Sequence, residues 1–145
     1  MKFNFETMEP VIANKLGTLK YDRSNKLLVG FFEGYANIDL FKELFEYVIV
    51  YAAKNQIVNA VYDCTGIKGT FTQLNSYISD RVVPALMPYG YRNVGMITSN
   101  DPFTRFATNT MIRLVMPKEI NVKMFNSLKE WEEWISEKQQ PVVQH

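Results

Sequence analysis

Few residues of this 145-residue chain could carry nucleophilic or metal chemistry. Its only cysteine is Cys64, and its only histidine, His145, is the last residue. A nucleophilic thiol or hydroxyl needs a neighbouring base, most often an imidazole, and a zinc site needs a group of Cys and His ligands. A single terminal histidine supplies neither. The sequence therefore predicts no catalytic residue, no metal site and no cofactor, with Cys64 as a small buried packing residue.

Two aspartates are the remaining candidates for acid–base chemistry. Asp63 follows a predicted strand and Asp101 precedes a predicted helix, so adjacent strands would bring the two carboxylates together. Turn formation explains the first and helix capping the second, and paired-carboxylate catalysis is the minor alternative. The nearby run 66–70 contains two glycines and a lysine, but Lys68 precedes the second glycine, unlike the order in a phosphate-binding loop.

Polar side chains gather after two neighbouring predicted strands. In open α/β sheets, ligands bind at the carboxyl ends of the strands, often against helix N-termini. The candidate ligand- or partner-binding residues there are Thr65, Thr70 and Thr72 in one loop and Thr98, Ser99 and Asn100 in the next. Simple capping of turns and helices is the alternative role for each of them.

Aromatic and methionine side chains are abundant, with ten Phe, eight Tyr and seven Met. Such side chains fill cores, and they also line adaptable apolar pockets and interfaces. The segment 84–91 is more apolar than connecting segments usually are. We therefore add Met87 and Tyr89 to the binding candidates. The segment belongs either to the core or to an interface, and an exposed patch there would suit a homodimer contact or a groove.

The elements that position these residues follow from periodicity and capping. Strands are predicted at 16–21, 26–34, 59–62, 91–98 and 120–125, with turns at 22–25 and 63–66. Helices are predicted at 38–55, from about 73 to 86, at 102–116 and at 128–138. Asn37, Asp101 and Ser127 are the predicted caps, and Pro84 predicts a kink or an early end of the second helix.

The predicted order is β-β-α-β-α-β-α-β-α. A hairpin followed by repeated strand–helix units predicts an α/β fold, with a mixed, mostly parallel five-stranded sheet covered by about four helices. We expect an N-terminal arm at 1–15, a single domain at 16–138 and a flexible tail at 139–145.

Composition favours a compact cytoplasmic protein. Charged residues make up 21% of the chain and the net charge is +1, without the basic stripe that nucleic-acid binding requires. No apolar run approaches the roughly 20 residues of a membrane span, and the N-terminus lacks the apolar run of a signal peptide. The lone cysteine fits a reducing compartment.

Three local sequences carry a family resemblance. They are NAVYDCTGI at 59–67, RNVGMIT at 92–98, and VKMFNSL at 122–128 followed by Glu130-Trp131 and Trp134-Ile135. Together with the element order, over about 16–138, they resemble STAS domains and, more narrowly, the SpoIIAA-like group of small stand-alone proteins. SEC14-type lipid-binding domains share a comparable layout.

The resemblance implies a non-catalytic regulatory or binding module that acts through protein contact or self-association. The alternative that it implies is a small carrier of a hydrophobic or lipid-like ligand. Anti-sigma-factor antagonists of this fold are regulated at a serine that usually follows an aspartate. The counterpart here is Thr72, with Phe71 in place of the acidic residue, so a phosphorylation switch at Thr72 is the weaker alternative.

Overall fold

The computed structural model describes residues 3–69 and 72–139. Six strands form one sheet: β1 (Glu9–Ala13), β2 (Gly17–Asp22), β3 (Leu27–Tyr35), β4 (Asn59–Lys68), β5 (Asn93–Ile97) and β6 (Asn121–Phe125). The last four residues of β5 are all buried, as expected for a central parallel strand that is covered on both faces.

Besides a single 3-10 turn at Phe5–Thr7, four helical segments connect or flank the described strands. α1 is Ile38–Ala52, α3 is Pro102–Leu114 and α4 is Leu128–Gln139. The second segment, here called α2, covers residues 72–89 as successive 3-10, α, π, α and 3-10 turns. Within the described ranges, no helix combines the length and apolar content that crossing a bilayer requires.

The predicted helix caps are confirmed. Asn37 Oδ1 accepts from the Leu40 N–H at 3.0 Å at the start of α1, and Asp101 Oδ1 accepts from the Phe103 N–H at 3.0 Å at the start of α3. Ser127 Oγ likewise accepts from a backbone N–H, 3.2 Å away, in the first turn of α4. Each cap satisfies one of the free N–H groups at a helix start.

The strands lie in sequence order across the sheet, β1 to β6. The first two pairings are antiparallel and the other three are parallel. The prediction of an α/β fold with a mixed sheet is confirmed, but the predicted number of five strands is wrong, because the sheet has six among the described residues. The sixth is β1, within the segment expected to be an arm, and Pro10 is tolerated there because β1 is an edge strand with an irregular register.

The two faces of the sheet carry separate apolar layers. α1, α2 and α3 pack on one face of the sheet. Crossover connections that share one handedness and step in the same direction across a sheet place their helices on the same face. On the other face, Phe3 and Met8 join Trp131 and Ile135 of α4. A β-carbon at Gly95 would overlap the Trp131 ring, so glycine there lets the indole lie directly on β5.

Residues 63–66 do not turn the chain as the sequence predicts. They continue β4 through a bulge, since Phe31 pairs with Asp63 but Glu33 pairs with Gly66. Asp63 Oδ1 accepts from both the Thr65 N–H at 3.0 Å and the Thr65 hydroxyl at 2.6 Å. The polar side chains that resemble a turn signal therefore satisfy backbone groups of a bulge.

Three asparagines form a ladder at the amino ends of the parallel strands. Asn121 Nδ2 donates to Asn93 Oδ1 at 3.0 Å, and Asn93 Nδ2 donates to Asn59 Oδ1 at 2.9 Å. Asn59 Nδ2 donates in turn to the backbone oxygen of Asn25 at 2.9 Å. Because the three residues are direct partners in the pairing of β4, β5 and β6, the ladder favours this register over any shifted one.

We expect the two ends of this ladder to contribute unequally to stability. Asn59 is buried, so Asn59→Ala removes two partly buried hydrogen bonds, leaves Asn93 Nδ2 and the Asn25 carbonyl without these partners, and should lower the free energy of unfolding by about 1–3 kcal/mol. Asn121 is exposed, and Asn121→Ala should lower it by less than about 0.5 kcal/mol. Urea denaturation of both variants measures the difference, and equal losses would contradict the role of the ladder.

Candidate functional site

Two of the predicted binding residues serve local structure at the carboxyl edge of the sheet. Thr65 donates its hydroxyl to Asp63 within the bulge of β4. Ser99 Oγ accepts from the Asp101 N–H at 3.3 Å, immediately before α3. For both residues the capping alternative accounts for the side chain.

The other predicted edge residues that the structure describes differ in their exposure. Thr98 is buried, and its hydroxyl accepts from Arg105 Nη1 at 3.4 Å. Asn100 is exposed, as is Thr72 at the start of α2. Thr70 lies outside the described residues, so its predicted role stays a prediction.

The apolar segment 84–91 divides between core and surface. Leu86 and Tyr91 are buried, Met87 is partly buried, and Tyr89 is 39% exposed. Met87 and Tyr89 face a shallow surface cleft, whereas Tyr91 reaches the interior. Leu86 and Tyr91 therefore belong to the core, and the interface alternative for Met87 and Tyr89 stays a prediction.

The interior contains an apolar cavity of about 70 Å³ between the sheet and α1, α2 and α3. We call it the apolar cavity. Its walls come from β3, β4, β5, the three helices and the segments beside them. The lining side chains are Leu16, Phe32, Ala36, Phe41, Phe45, Tyr62, Cys64, Ile67, Leu74, Ile78, Val82, Val83, Tyr91, Val94, Met96, Met111 and Met116.

An aromatic group forms the wall next to α1. Phe41 and Phe45, one turn apart on α1, stack with ring centroids 4.5 Å apart, and Phe45 meets the Tyr62 ring at 5.7 Å. Gly30 of β3 lies beside Tyr62, and a β-carbon there would come within 3.0 Å of that ring. The glycine therefore makes room for Tyr62 to lie across β3.

Among the described lining residues, the only side chains with a hydroxyl group are those of Tyr62 and Tyr91. Their oxygens are 2.7 Å apart, and the two residues are 8% and 3% exposed. Burial raises the pKa of Tyr62 well above its usual value, and the neighbouring Tyr91 raises it further. Burial also raises the pKa of Tyr91. Both phenols therefore stay protonated and uncharged at neutral pH.

Cys64 carries the one thiol among the described lining residues, and burial suppresses the nucleophilicity of that thiol. Burial, followed by the nearby charge of Asp63, raises the pKa of the Cys64 thiol to about 12. Since the thiolate is the reactive form, this cysteine behaves as a packing residue at neutral pH, as the sequence analysis expects.

The wall formed by α2 is irregular because of Pro84. A proline inside a helix lacks an N–H and its ring collides with the carbonyl four residues earlier. Here the π turn Ile78–Val82 precedes it, with the Val83 N–H donating to the Ile78 carbonyl, and the helical segment continues past Pro84. Such widened turns often occur at functional sites.

A polar contact on the surface holds α2 against α1. Arg81 of α2 donates twice to the Glu46 carboxylate of α1, at 2.9 and 3.0 Å, and the Tyr77 hydroxyl also donates to it, at 2.5 Å. The hydrogen bonds from Arg81 and then Tyr77 lower the pKa of Glu46 to about 2. We call these three residues the α1–α2 clasp.

No protein-family model matches this chain, and no curated protein matches it either. Among the described residues, no group of three or more His, Cys, Asp or Glu side chains is placed to hold a metal ion.

The polar residues in the sequence indicate a site at the carboxyl edge of the sheet, and no sequence motif indicates where the cavity lies. Its described lining residues come from six elements and four connecting segments far apart in the chain. The available signal was the surplus of aromatic and methionine side chains, several of which line the cavity: Phe32, Phe41, Phe45, Met96, Met111 and Met116.

We expect the clasp to stabilise the fold in a pH-dependent way. Because the pKa of Glu46 is lowered in the folded state, its contribution is present above about pH 4.5 and is lost as the pH falls towards 2. Glu46→Gln should lower the free energy of unfolding at pH 6 by about 0.5–1 kcal/mol, since the group is half exposed and screened. Denaturation from pH 2 to 6 measures this.

The control is Glu133→Gln, an exposed glutamate on α4. If the clasp acts as described, the difference between Glu46→Gln and the unmodified chain disappears by about pH 2, whereas Glu133→Gln stays close to the unmodified chain throughout. A constant difference for Glu46→Gln over the whole range would contradict the assignment.

Proposed function

We propose that this chain is a non-catalytic binding module that holds a small, uncharged, largely apolar ligand in the apolar cavity. The observation that carries the proposal is the cavity itself, an apolar space of about 70 Å³ inside an otherwise packed core. Protein interiors are packed nearly as densely as organic crystals, and unfilled apolar space lowers stability. A ligand that fills the space recovers the lost contacts.

The size of the cavity limits how the ligand binds. A dry cavity of about 150 Å³ is the size that takes up benzene, so a ring-sized ligand requires this cavity to widen. The mobile wall in this proposal is α2, which supplies Leu74, Ile78, Val82 and Val83 to the lining. An outward movement of α2 would break its surface clasp to α1 but none of the strand pairings of the sheet.

Two sequence features support the proposal. The resemblance to STAS, SpoIIAA-like and SEC14-type domains includes a group that binds lipids, and the surplus of aromatic and methionine side chains suits an adaptable pocket. We further propose that the protein works in the cytoplasm, where a single unpaired cysteine is stable.

The proposal predicts that protein purified from cells retains a bound molecule in native mass spectrometry. Val94→Ile adds a methylene group to the cavity wall and should reduce the bound fraction. Its free energy of unfolding should stay unchanged or rise, because the added group enters empty space.

The matched control is Val61→Ile, in the neighbouring strand but on the other, fully packed face of the sheet. It should leave the bound fraction unchanged and lower the free energy of unfolding by about 1–3 kcal/mol through overpacking. A ligand-free mass in repeated preparations, together with equal destabilisation by both substitutions, would overturn the proposal.

A second candidate function, self-association, is favoured by the outer side of α3. Phe103, Phe106 and Leu114 share that side and are 71%, 69% and 75% exposed. The buried side of the same helix carries smaller residues such as Thr104 and Ala107. An apolar stripe of this kind can pack against the same stripe of a second copy around a two-fold axis.

Self-association through α3 predicts a dimer in light-scattering measurements at about 100 µM chain, weak because the stripe is small. Phe106→Gln should shift the mass towards the monomer by removing apolar contact. Val50→Gln, an equally exposed apolar position on α1, should leave the mass unchanged. A monomer at every concentration would contradict this second function.

A further inference from the structure

We propose that the α1–α2 clasp determines the largest ligand that the apolar cavity holds, and that with the clasp closed this ligand is a compact hydrocarbon group of about three or four carbon atoms. This inference rests on the proposed function and adds the size and chemical class of the ligand, together with the residues that select it. It is carried by the position of the clasp, which joins two of the helices that line the cavity.

The volume of the cavity limits what it holds while its walls stay in place. The space amounts to about 70 Å³. At the packing density of a protein interior, such a space accommodates roughly 50 Å³ of atoms, or about three carbon atoms with their hydrogens. A benzene-sized ring needs a dry cavity of about 150 Å³, so it requires the walls to separate.

The wall that faces this space is apolar. None of the described lining residues is charged, so an ionic ligand would lose its hydration without gaining a counter-ion. A neutral donor or acceptor on the ligand would also be buried against apolar surface, at a free-energy cost comparable to a lost hydrogen bond. Met96, Met111 and Met116 supply adaptable, polarisable side chains to the same wall. The chemical class that fits is therefore a hydrocarbon group.

Tyr77 of α2 is held by three residues of α1. Its ring packs edge-on against the Phe41 ring, with the ring centroids 6.0 Å apart, and the Lys42 ammonium lies 5.4 Å from its centroid. Its hydroxyl donates to the Glu46 carboxylate. Phe41 lines the cavity, and so does Ile78, which follows Tyr77 in the chain. The clasp is thus directly connected to two side chains of the cavity wall.

This connection makes the clasp sensitive to the size of the ligand. A ligand that fits the closed cavity leaves the clasp intact, whereas a larger one moves α2 away from α1 and breaks it. A ligand shifts an equilibrium between two arrangements only by its different affinity for them. Removing the clasp therefore raises the affinity for large ligands, which no longer have to break it, and leaves the affinity for small ligands unchanged.

The test compares cyclopropane with cyclohexane, two saturated rings that lack hydrogen-bonding groups and differ in size. Binding is followed through the methyl resonances of Met96, Met111 and Met116. The variant Glu46→Ala removes the acceptor of all three hydrogen bonds of the clasp. Because this carboxylate is about half exposed, the variant should still fold.

The matched control is Glu43→Ala, which removes an exposed carboxylate from the same helix. The Glu43 carboxylate accepts a hydrogen bond from Asn14 Nδ2 at 3.0 Å, on the side of β1 and β2. This control therefore removes one charge and one hydrogen bond from α1 without changing the clasp.

We expect the affinity for cyclohexane to rise about two- to fivefold in Glu46→Ala, and the affinity for cyclopropane to change by less than about 1.5-fold. Glu43→Ala should leave the ratio of the two affinities as it is in the unmodified chain. In the unmodified chain, the Cζ resonance of Tyr77 should shift with cyclohexane, because its hydroxyl loses its acceptor, and stay in place with cyclopropane. This last measurement does not depend on a variant folding.

The results distinguish the two proposals. If cyclopropane binds, the affinity ratio is the same in Glu46→Ala and the Tyr77 resonance does not respond to cyclohexane, the inference about the clasp is overturned and the proposed function stands. Binding of cyclohexane without binding of cyclopropane would also overturn it, since the closed cavity would then not select by size. If neither probe binds, the proposed function itself fails, and the inference fails with it.

Discussion

The in-register pairing of the parallel strands β4, β5 and β6 determines where every other part of the molecule lies. A slip of one residue would exchange the two faces of a strand. In the observed register Tyr62 and Met96 are partners and both face the helices, while Val61 and Gly95 are partners on the opposite face. The asparagine ladder at the amino ends of these strands favours that register with side-chain hydrogen bonds in addition to the backbone ladder.

Given this register, the space above the sheet is set by the helices, and α2 leaves it incompletely filled. A regular helix over the same residues would bring the Pro84 ring against the carbonyl of residue 80. The π turn avoids that collision and widens the helix beside the aromatic wall. Ile78 and Val82 of this π turn belong to the lining of the apolar cavity.

The parts of the fold that depend on local chemistry could be predicted from the sequence, and the parts that depend on distant partners could not. The cap at Asp101 is a short-range hydrogen bond and is found where expected. β1 was missed because Pro10 disfavours a strand unless it lies at a sheet edge, which only the assembled sheet defines. Asp63 was read as a turn residue because a bulge uses the same bonds. Tyr62 and Tyr91 meet across 29 residues, with no local signature.

The apolar cavity and the α1–α2 clasp depend on two different kinds of interaction. Inside, burial keeps the two phenols and the Cys64 thiol uncharged at neutral pH. Outside, Glu46 and Arg81 are charged and about half exposed, so their contact is weakened by water and salt and is inexpensive to break. An opening of α2 therefore separates charges that water can solvate again, while the sheet and its register remain intact. Under the proposed function, the ligand would exchange through a local motion of this kind, which is far less costly than unfolding.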